Sequence, residues 1–170
     1  IVDAVSATMS LPFDADLGSL AVEDQVAGST LGVVDLRLAV RAYCIANPTA
    51  PDCLSADLGL TAVGTRGAAV GVLGGTTSVT VSTEAANLGP DGPVDATVNR
   101  SVTTGPGLSA TPTTDTFLLG DLAVGELRTF SSAVGLTCLT PGTHTATITD
   151  AIAPDRAKVV DPVDANNTVQ

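Results

Sequence analysis

Through the second half of the chain, apolar and polar residues alternate with period two in short runs separated by Gly, Pro and Asn, the pattern of half-buried strands. Ser78-Val79-Thr80-Val81-Ser82-Thr83-Glu84-Ala85 alternates throughout, and the turn residues Asn87-Leu88-Gly89-Pro90-Asp91-Gly92-Pro93 follow. Val94, Ala96 and Val98 then alternate with Asp95, Thr97 and Asn99. After Gly105-Pro106-Gly107 a Thr-rich stretch ends at Phe117-Leu118-Leu119. Gly120-Asp121 and Val124-Gly125-Glu126 are the next turn signals. A strand is predicted over 127–136, with a bulge near Ser131-Ser132. Pro141-Gly142 opens 143–149, where His144, Ala146 and Ile148 share a face, and Val159-Val160 starts a last strand running to the C-terminus. Six or seven short strands without a helix predict an all-β domain, most simply a two-sheet sandwich that buries one face of each strand.

The first 56 residues are patterned less clearly. Asp35-Leu36-Arg37-Leu38-Ala39-Val40-Arg41 alternates as a strand, whereas Leu31, Val34, Leu38, Ala42 and Ile45 fit a helical face with Ser29 or Thr30 as N-cap. The surrounding Gly, Thr and Val favour strand. Leu17-Gly18-Ser19-Leu20-Ala21-Val22-Glu23-Asp24 echoes residues 119–126, which suggests a partial repeat. So short a segment cannot build its own core. Residues 1–56 are therefore expected as a β-rich extension that packs on the domain formed by 57–170 or on a neighbouring subunit.

Several of the turn residues carry a resemblance. Asn87-Leu88-Gly89-Pro90, Leu119-Gly120-Asp121-Leu122-Ala123-Val124-Gly125-Glu126, Pro141-Gly142-Thr143-His144 and Asp164-Ala165-Asn166-Asn167-Thr168 resemble the repeated Ig-like domains of bacterial and archaeal surface proteins. These include the cell-adhesion-related, CARDB-type domains. The resemblance covers about residues 57–170 and implies a seven-stranded immunoglobulin-like β-sandwich, extracellular exposure and a structural or adhesive role. Turn residues identify a scaffold and carry no activity.

Composition narrows the function classes. In 170 residues the hydrophobic fraction is 44%, enough for a core, yet there are three Phe, one Tyr and no Trp. The core must come from Ala, Val and Leu. A net charge of -11, with Lys158 the single lysine, leaves no basic stripe for nucleic acid or for an anionic membrane surface. No apolar run approaches a membrane span, so no membrane insertion is expected. Ile1 in place of a start methionine is the expectation for a mature or excised chain.

Three cysteines are present. Cys44 and Cys53 bracket the Pro-rich loop Ile45-Ala46-Asn47-Pro48-Thr49-Ala50-Pro51-Asp52, which brings its ends together, so a Cys44–Cys53 disulfide and an oxidising, extracellular or cell-surface location are expected. Cys138 is left over. The sequons Asn99-Arg100-Ser101 and Asn166-Asn167-Thr168 mark Asn99 and Asn166 as candidate glycosylation sites.

Catalytic chemistry is not indicated. His144 is the single histidine and fits a partly buried structural residue. Pairing it with Cys138 as a nucleophile leaves the orienting acid unsupplied. The carboxylate pairs Asp14/Asp16 and Asp161/Asp164 lack the aromatic platforms of a sugar-binding cleft, and Gly71, Gly74 and Gly75 lack the frame of a phosphate loop. The best candidate site is a calcium site at Asp161, Asp164, Asn166 and Asn167, with Asp150 and Asp155 as further oxygen donors. The same residues compose an Asx-rich turn closing the domain, and that reading is favoured. No other cofactor and no small-molecule substrate is expected. The expected function is that of an extracellular structural protein, a subunit or repeat of a surface filament, sheath or stalk that self-associates into a polymer by β-strand addition between chains. An adhesin or ligand-binding accessory domain of a larger surface protein, with calcium as a stabiliser, is the alternative.

Overall fold

The structure, a computed structural model, describes residues 17–24, 26–67 and 70–170. β1 (Ser19–Asp24) and β2 (Ser29–Asp35) form an antiparallel hairpin, followed by α1 (Arg37–Ala46) and the two-residue β3 (Leu54–Ser55). Then come β4 (Leu58–Gly67), β5 (Thr76–Asn87), β6 (Val94–Thr104), β7 (Leu108–Thr111), β8 (Thr114–Leu122), β9 (Leu127–Cys138) and β10 (Ala146–Pro154). The chain finishes with β11 (Val159–Val160), a 3-10 turn at Asp164–Asn166 and β12 (Thr168–Val169). Among the described residues the fold is thus all-β apart from one α-helix and one 3-10 turn.

Two antiparallel four-stranded sheets make the body, in the orders β4-β5-β9-β7 and β12-β10-β6-β8. Period two explains the core between them. Leu58 and Leu60 of β4, Ala85 of β5 and Phe130 of β9 face Val94, Ala96 and Val98 of β6, Leu119 and Leu122 of β8 and Ile152 of β10 in one buried cluster. Leu, Ala and Val dominate, as a chain poor in aromatics requires. Ala56, fully buried, belongs to the same cluster, so the body takes in residues ahead of 57.

The strand expected at 35–41 is helix from Arg37 onward. Nor is it the helix that Leu31, Val34, Leu38, Ala42 and Ile45 marked: Leu31 and Val34 lie in β2, and Leu38, Ala42 and Ile45 are exposed, so tertiary contact decides. Val40 and Cys44, one helical turn apart and so on one face, bury against Cys53, Ala50, Ala157 and Val160. Asp35 supports the start: its Oδ1 accepts the Arg37 backbone N–H at 2.9 Å, and its carboxylate pairs with the Arg37 guanidinium at 2.7 Å. The side-chain hydrogen bond from Arg37 holds the Asp35 carboxyl down at about 2, below its ordinary 3.8. In the preceding hairpin Asp24 Oδ1 accepts the Val26 and Ala27 N–H groups, and Gly28 closes the turn at a φ of 63°, a left-handed conformation that suits glycine.

Three further expectations change. β9 pairs with β5 in continuous register, so the bulge at Ser131-Ser132 is absent; among the described residues the irregularities fall between Val22 and Glu23 of β1, between Ala62 and Gly64 of β4 and between Val94 and Ala96 of β6. The last strand is broken after Val160, because Pro162 has no N–H to donate and the Asp161 carboxylate takes the Val163 N–H at 2.9 Å. The echo between 17–24 and 119–126 has no structural counterpart, since the first segment is largely a hairpin strand and the second leaves β8 for a turn.

Candidate functional site

The C-terminal residues gathered as a calcium site serve first as a lock on the chain path. Asp161 is buried, and its Oδ2 accepts the Leu58 N–H at 2.9 Å while Oδ1 holds Val163. Asn166 is half-buried and donates from Nδ2 to Asp57 Oδ1 at 2.8 Å. The Oδ1 atoms of Asn166 and Asn167 are buried without a protein donor. Asp164 is exposed. Asp150 and Asp155 lie elsewhere in function: Asp150 is bound to Arg100, and Asp155 accepts the Thr97 hydroxyl. Among the described residues no three of His, Cys, Asp and Glu stand together as a metal-binding group. The Asp14/Asp16 pair lies outside the described residues.

Of the two sequons, Asn99 is exposed on β6 and accepts the Thr116 hydroxyl at 3.1 Å, whereas the Asn166 amide is engaged by Asp57.

Cys44 and Cys53 are joined, with Cα atoms 5.5 Å apart. The bond ties the last turn of α1 to the strand pair β3–β11, where Leu54 N–H donates to Lys158 O at 3.0 Å and Ala56 N–H to Val160 O at 3.1 Å. A nine-residue separation predicts that Cys44→Ser with Cys53→Ser costs about 2–3 kcal/mol by freeing the unfolded loop. The loss should fall on α1 first, seen as faster amide exchange across 37–46 while the sheet amides stay protected. Equal acceleration in the sheets would overturn that local role.

Cys138 and His144 converge on one carbonyl: Cys138 Sγ donates to Thr140 O at 3.1 Å, and His144 Nε2 lies 2.7 Å from the same atom. His144 stands ahead of β10 in a loop and is half-buried. Both residues line a cavity of about 550 Å³ with Val79, Leu108, Leu136 and Ile148, and no acid is among its lining residues.

That cavity continues into a second feature. A smaller one, about 220 Å³, lies between β4 and β10 and is lined by Ala62, Val81, Ile148 and Val169. The two share Thr65 and Ile148. Here β12 pairs only with Asp150 and Ala151, so Ala146–Thr149 of β10 have β6 on one side and no strand on the other among the described residues. The result is an apolar groove beside an unpaired backbone edge. Such an edge presents N–H and C=O groups to any extended chain.

A second exposed apolar surface lies on the N-terminal hairpin and helix. Among the described residues the β1–β2 hairpin pairs with no other strand, and every residue of β2 is exposed. Leu31 and Val33 are 68% and 65% exposed, and Val22, Val34, Leu38 and Ile45 add to them. Exposed apolar residues scattered singly are ordinary on a protein surface; here these six fall within residues 22–45.

The residue that sequence reasoning missed is Arg100. It is 1% exposed and forms a buried ion pair with Asp150 at 2.8 Å. Its signal was present: Arg100 falls in phase with Val98 and Val102, and Asp150 in phase with Ile148 and Ile152, so period two itself turns both charges inward.

No helix among the described residues is long and apolar enough to cross a membrane. No protein-family model matches the chain, and no curated protein or solved structure matches it either.

Proposed function

We propose that this protein is an extracellular, non-enzymatic structural subunit with an immunoglobulin-like body, built into a surface filament, sheath or stalk by β-strand addition between chains. The strand order supports the Ig-like reading. β4, β5 and β9 lie in one sheet and β12, β10 and β6 in the other, the interleaving of strands A-B-E and G-F-C in that fold. β7 and β8 follow one another with two residues between them and pair with different sheets, β7 with β9 and β8 with β6. They serve together as the strand that passes from one sheet to the other. The Cys44–Cys53 bond fits an oxidising compartment.

The observation that carries the assembly reading is the β1–β2 hairpin. Among the described residues it has no strand partner beyond itself, and it holds Leu31, Val33 and Val34 outward. A second chain laid on this surface removes it from water. Soluble monomers guard their sheet edges with lysine, and this chain has one. Electron microscopy of the purified full chain, with sedimentation velocity beside it, tests the reading. Filaments or ordered oligomers are expected. A monomer at the highest soluble concentration sinks the structural-subunit reading and favours an adhesive domain.

A further inference from the structure

We infer that the groove beside β10 receives residues 5–11 of a second copy of this chain as an added strand; the inference rests on the assembly reading above and names its donor and acceptor. The groove lacks what a completed sheet would have there, a strand next to Ala146–Thr149 of β10. Its walls are the half-buried Val79, Leu136 and Ile148 over the buried Val81, Val102 and Val134. In a finished two-sheet body these side chains meet the inward face of a neighbouring strand. Here Val79, Leu136 and Ile148 line the cavity of about 550 Å³, and Val81 and Ile148 the one of about 220 Å³. An occupant must therefore be extended, apolar on alternate residues, and uncharged where it enters.

One stretch of this chain has that pattern and lies outside the described residues. Val5-Ser6-Ala7-Thr8-Met9-Ser10-Leu11 alternates without a break, with Val5, Ala7, Met9 and Leu11 on one face and Ser6, Thr8 and Ser10 on the other. It carries no charge, and Pro12 ends it. Seven residues of strand span about 23 Å at about 3.3 Å each, enough to run the free length of β10 and extend beyond it. Backbone hydrogen bonds to β10 supply affinity, and the alternate side chains fill the groove.

The layout of the subunit favours a second copy as the source. β4 starts at Leu58, beside the Asn87 end of β5, and finishes at Gly67 beside Val79. The helix and its disulfide dock on β11, whose partner β3 leads into the Leu58 end. The groove, with Thr65, Val79 and Ile148, opens at the other end, roughly 25–30 Å away along a ten-residue strand. Gly18 accepts the Leu36 N–H at 2.9 Å, so the chain ahead of β1 departs beside the start of α1. A donor leaving near one pole and a groove at the other give a head-to-tail contact, which propagates into a filament when the rotation does not close.

Two variants of the full chain test this. Met9→Asp places a charge on the inward face of the donor. Ala146→Arg fills the groove. Each alone is expected to sediment as a monomer, with circular dichroism like that of the parent. Mixed, they should form a 1:1 dimer, because the intact donor of the second fits the intact groove of the first. Hydrogen exchange over 146–149 should slow in that dimer, and Thr8→Asp, on the outward face, should assemble like the parent. Should Ala146→Arg fail to fold, a synthetic peptide of residues 1–13 added to Met9→Asp should slow the same amides. Polymers formed by Met9→Asp overturn the donor assignment while leaving the assembly reading intact. Slow exchange over 146–149 in the monomeric parent, lost in Met9→Asp, places the segment in its own groove and overturns the inference. A mixture that stays monomeric, or a peptide without effect, overturns it as well.

Discussion

Arg100→Met should lower the stability of the domain by about 3–5 kcal/mol, the cost of leaving one partner of a buried ion pair uncompensated. Arg100 and Asp150 are 1% and 2% exposed and face each other across β6 and β10. The guanidinium grips the carboxylate with two hydrogen bonds, Nε to Oδ1 at 2.8 Å and Nη2 to Oδ2 at 2.9 Å. Its remaining donors cross to the opposite sheet. Nη1 reaches Ser132 Oγ at 2.9 Å and Val81 O at 3.2 Å, and Nη2 reaches Thr83 Oγ1 at 3.1 Å. Phe117 and Phe130 stand against the guanidinium, with ring centroids 5.1 and 5.6 Å from its central carbon. The network therefore joins four strands and both sheets. Arg100→Lys should also destabilise, because an ammonium cannot reproduce the planar fork. The double change Arg100→Met with Asp150→Leu should recover much of the loss, since no charge is then stranded. Urea denaturation of the parent, the single variants Arg100→Met and Asp150→Leu and the double variant, with m unchanged, measures the coupling as a double-mutant cycle. A loss below about 1 kcal/mol for Arg100→Met, the range of an exposed pair, would falsify the role assigned to the network.

Asn87→Ala is expected to cost about 2–4 kcal/mol, because its fully buried side chain joins three segments. Nδ2 donates to Asp91 O at 3.0 Å and to Leu122 O at 3.2 Å, and Oδ1 accepts the Gly89 N–H at 3.1 Å. Alanine leaves all three backbone groups without that partner. The backbone of Asn87 adds a fourth link, accepting the Gly125 N–H at 2.8 Å. Gly89→Ala should damage the same corner by another route. A Cβ at Gly89 would sit 2.2 Å from Asp57 N and 2.7 Å from Ala56 Cα, so the backbone itself must move, at about 1–3 kcal/mol or more. For a chain of this size the Asn87 loss corresponds to a melting temperature lower by about 4–16 °C. Leu88→Ala, at an exposed position between the two, should leave the melting curve close to the parent. Similar drops for all three variants would show that the turn is generally fragile and that Asn87 has no special part in it.

The strands were legible because their signal is local. Ser78–Ala85 and Val94–Val98 alternate, and β5 and β6 contain them. The Asn87–Pro93 turn and the Cys44–Cys53 pair were legible for the same reason: each is a short stretch whose chemistry bends the chain back on itself. Period two states which side chains share a face. It is silent about what that face meets. Arg37–Ala46 fits strand and helix alike, and contact with Ala157 and Val160, more than 100 residues away, makes it helix. Asp161 reads as a ligand by composition, and its place is set by the Leu58 N–H, 103 residues distant. Arg100 reads as an ordinary charge on a strand until Asp150 arrives opposite it and Thr83 and Ser132 close over it from the other sheet. By itself, then, the sequence determined the strand-rich class, most turns, the disulfide and the inward phase of strands such as β5, β6 and β10, all of which depend on neighbouring residues. Only the tertiary structure decided the helix, the buried ion network and the open groove beside β10, because each depends on which distant strands pair and where that pairing stops.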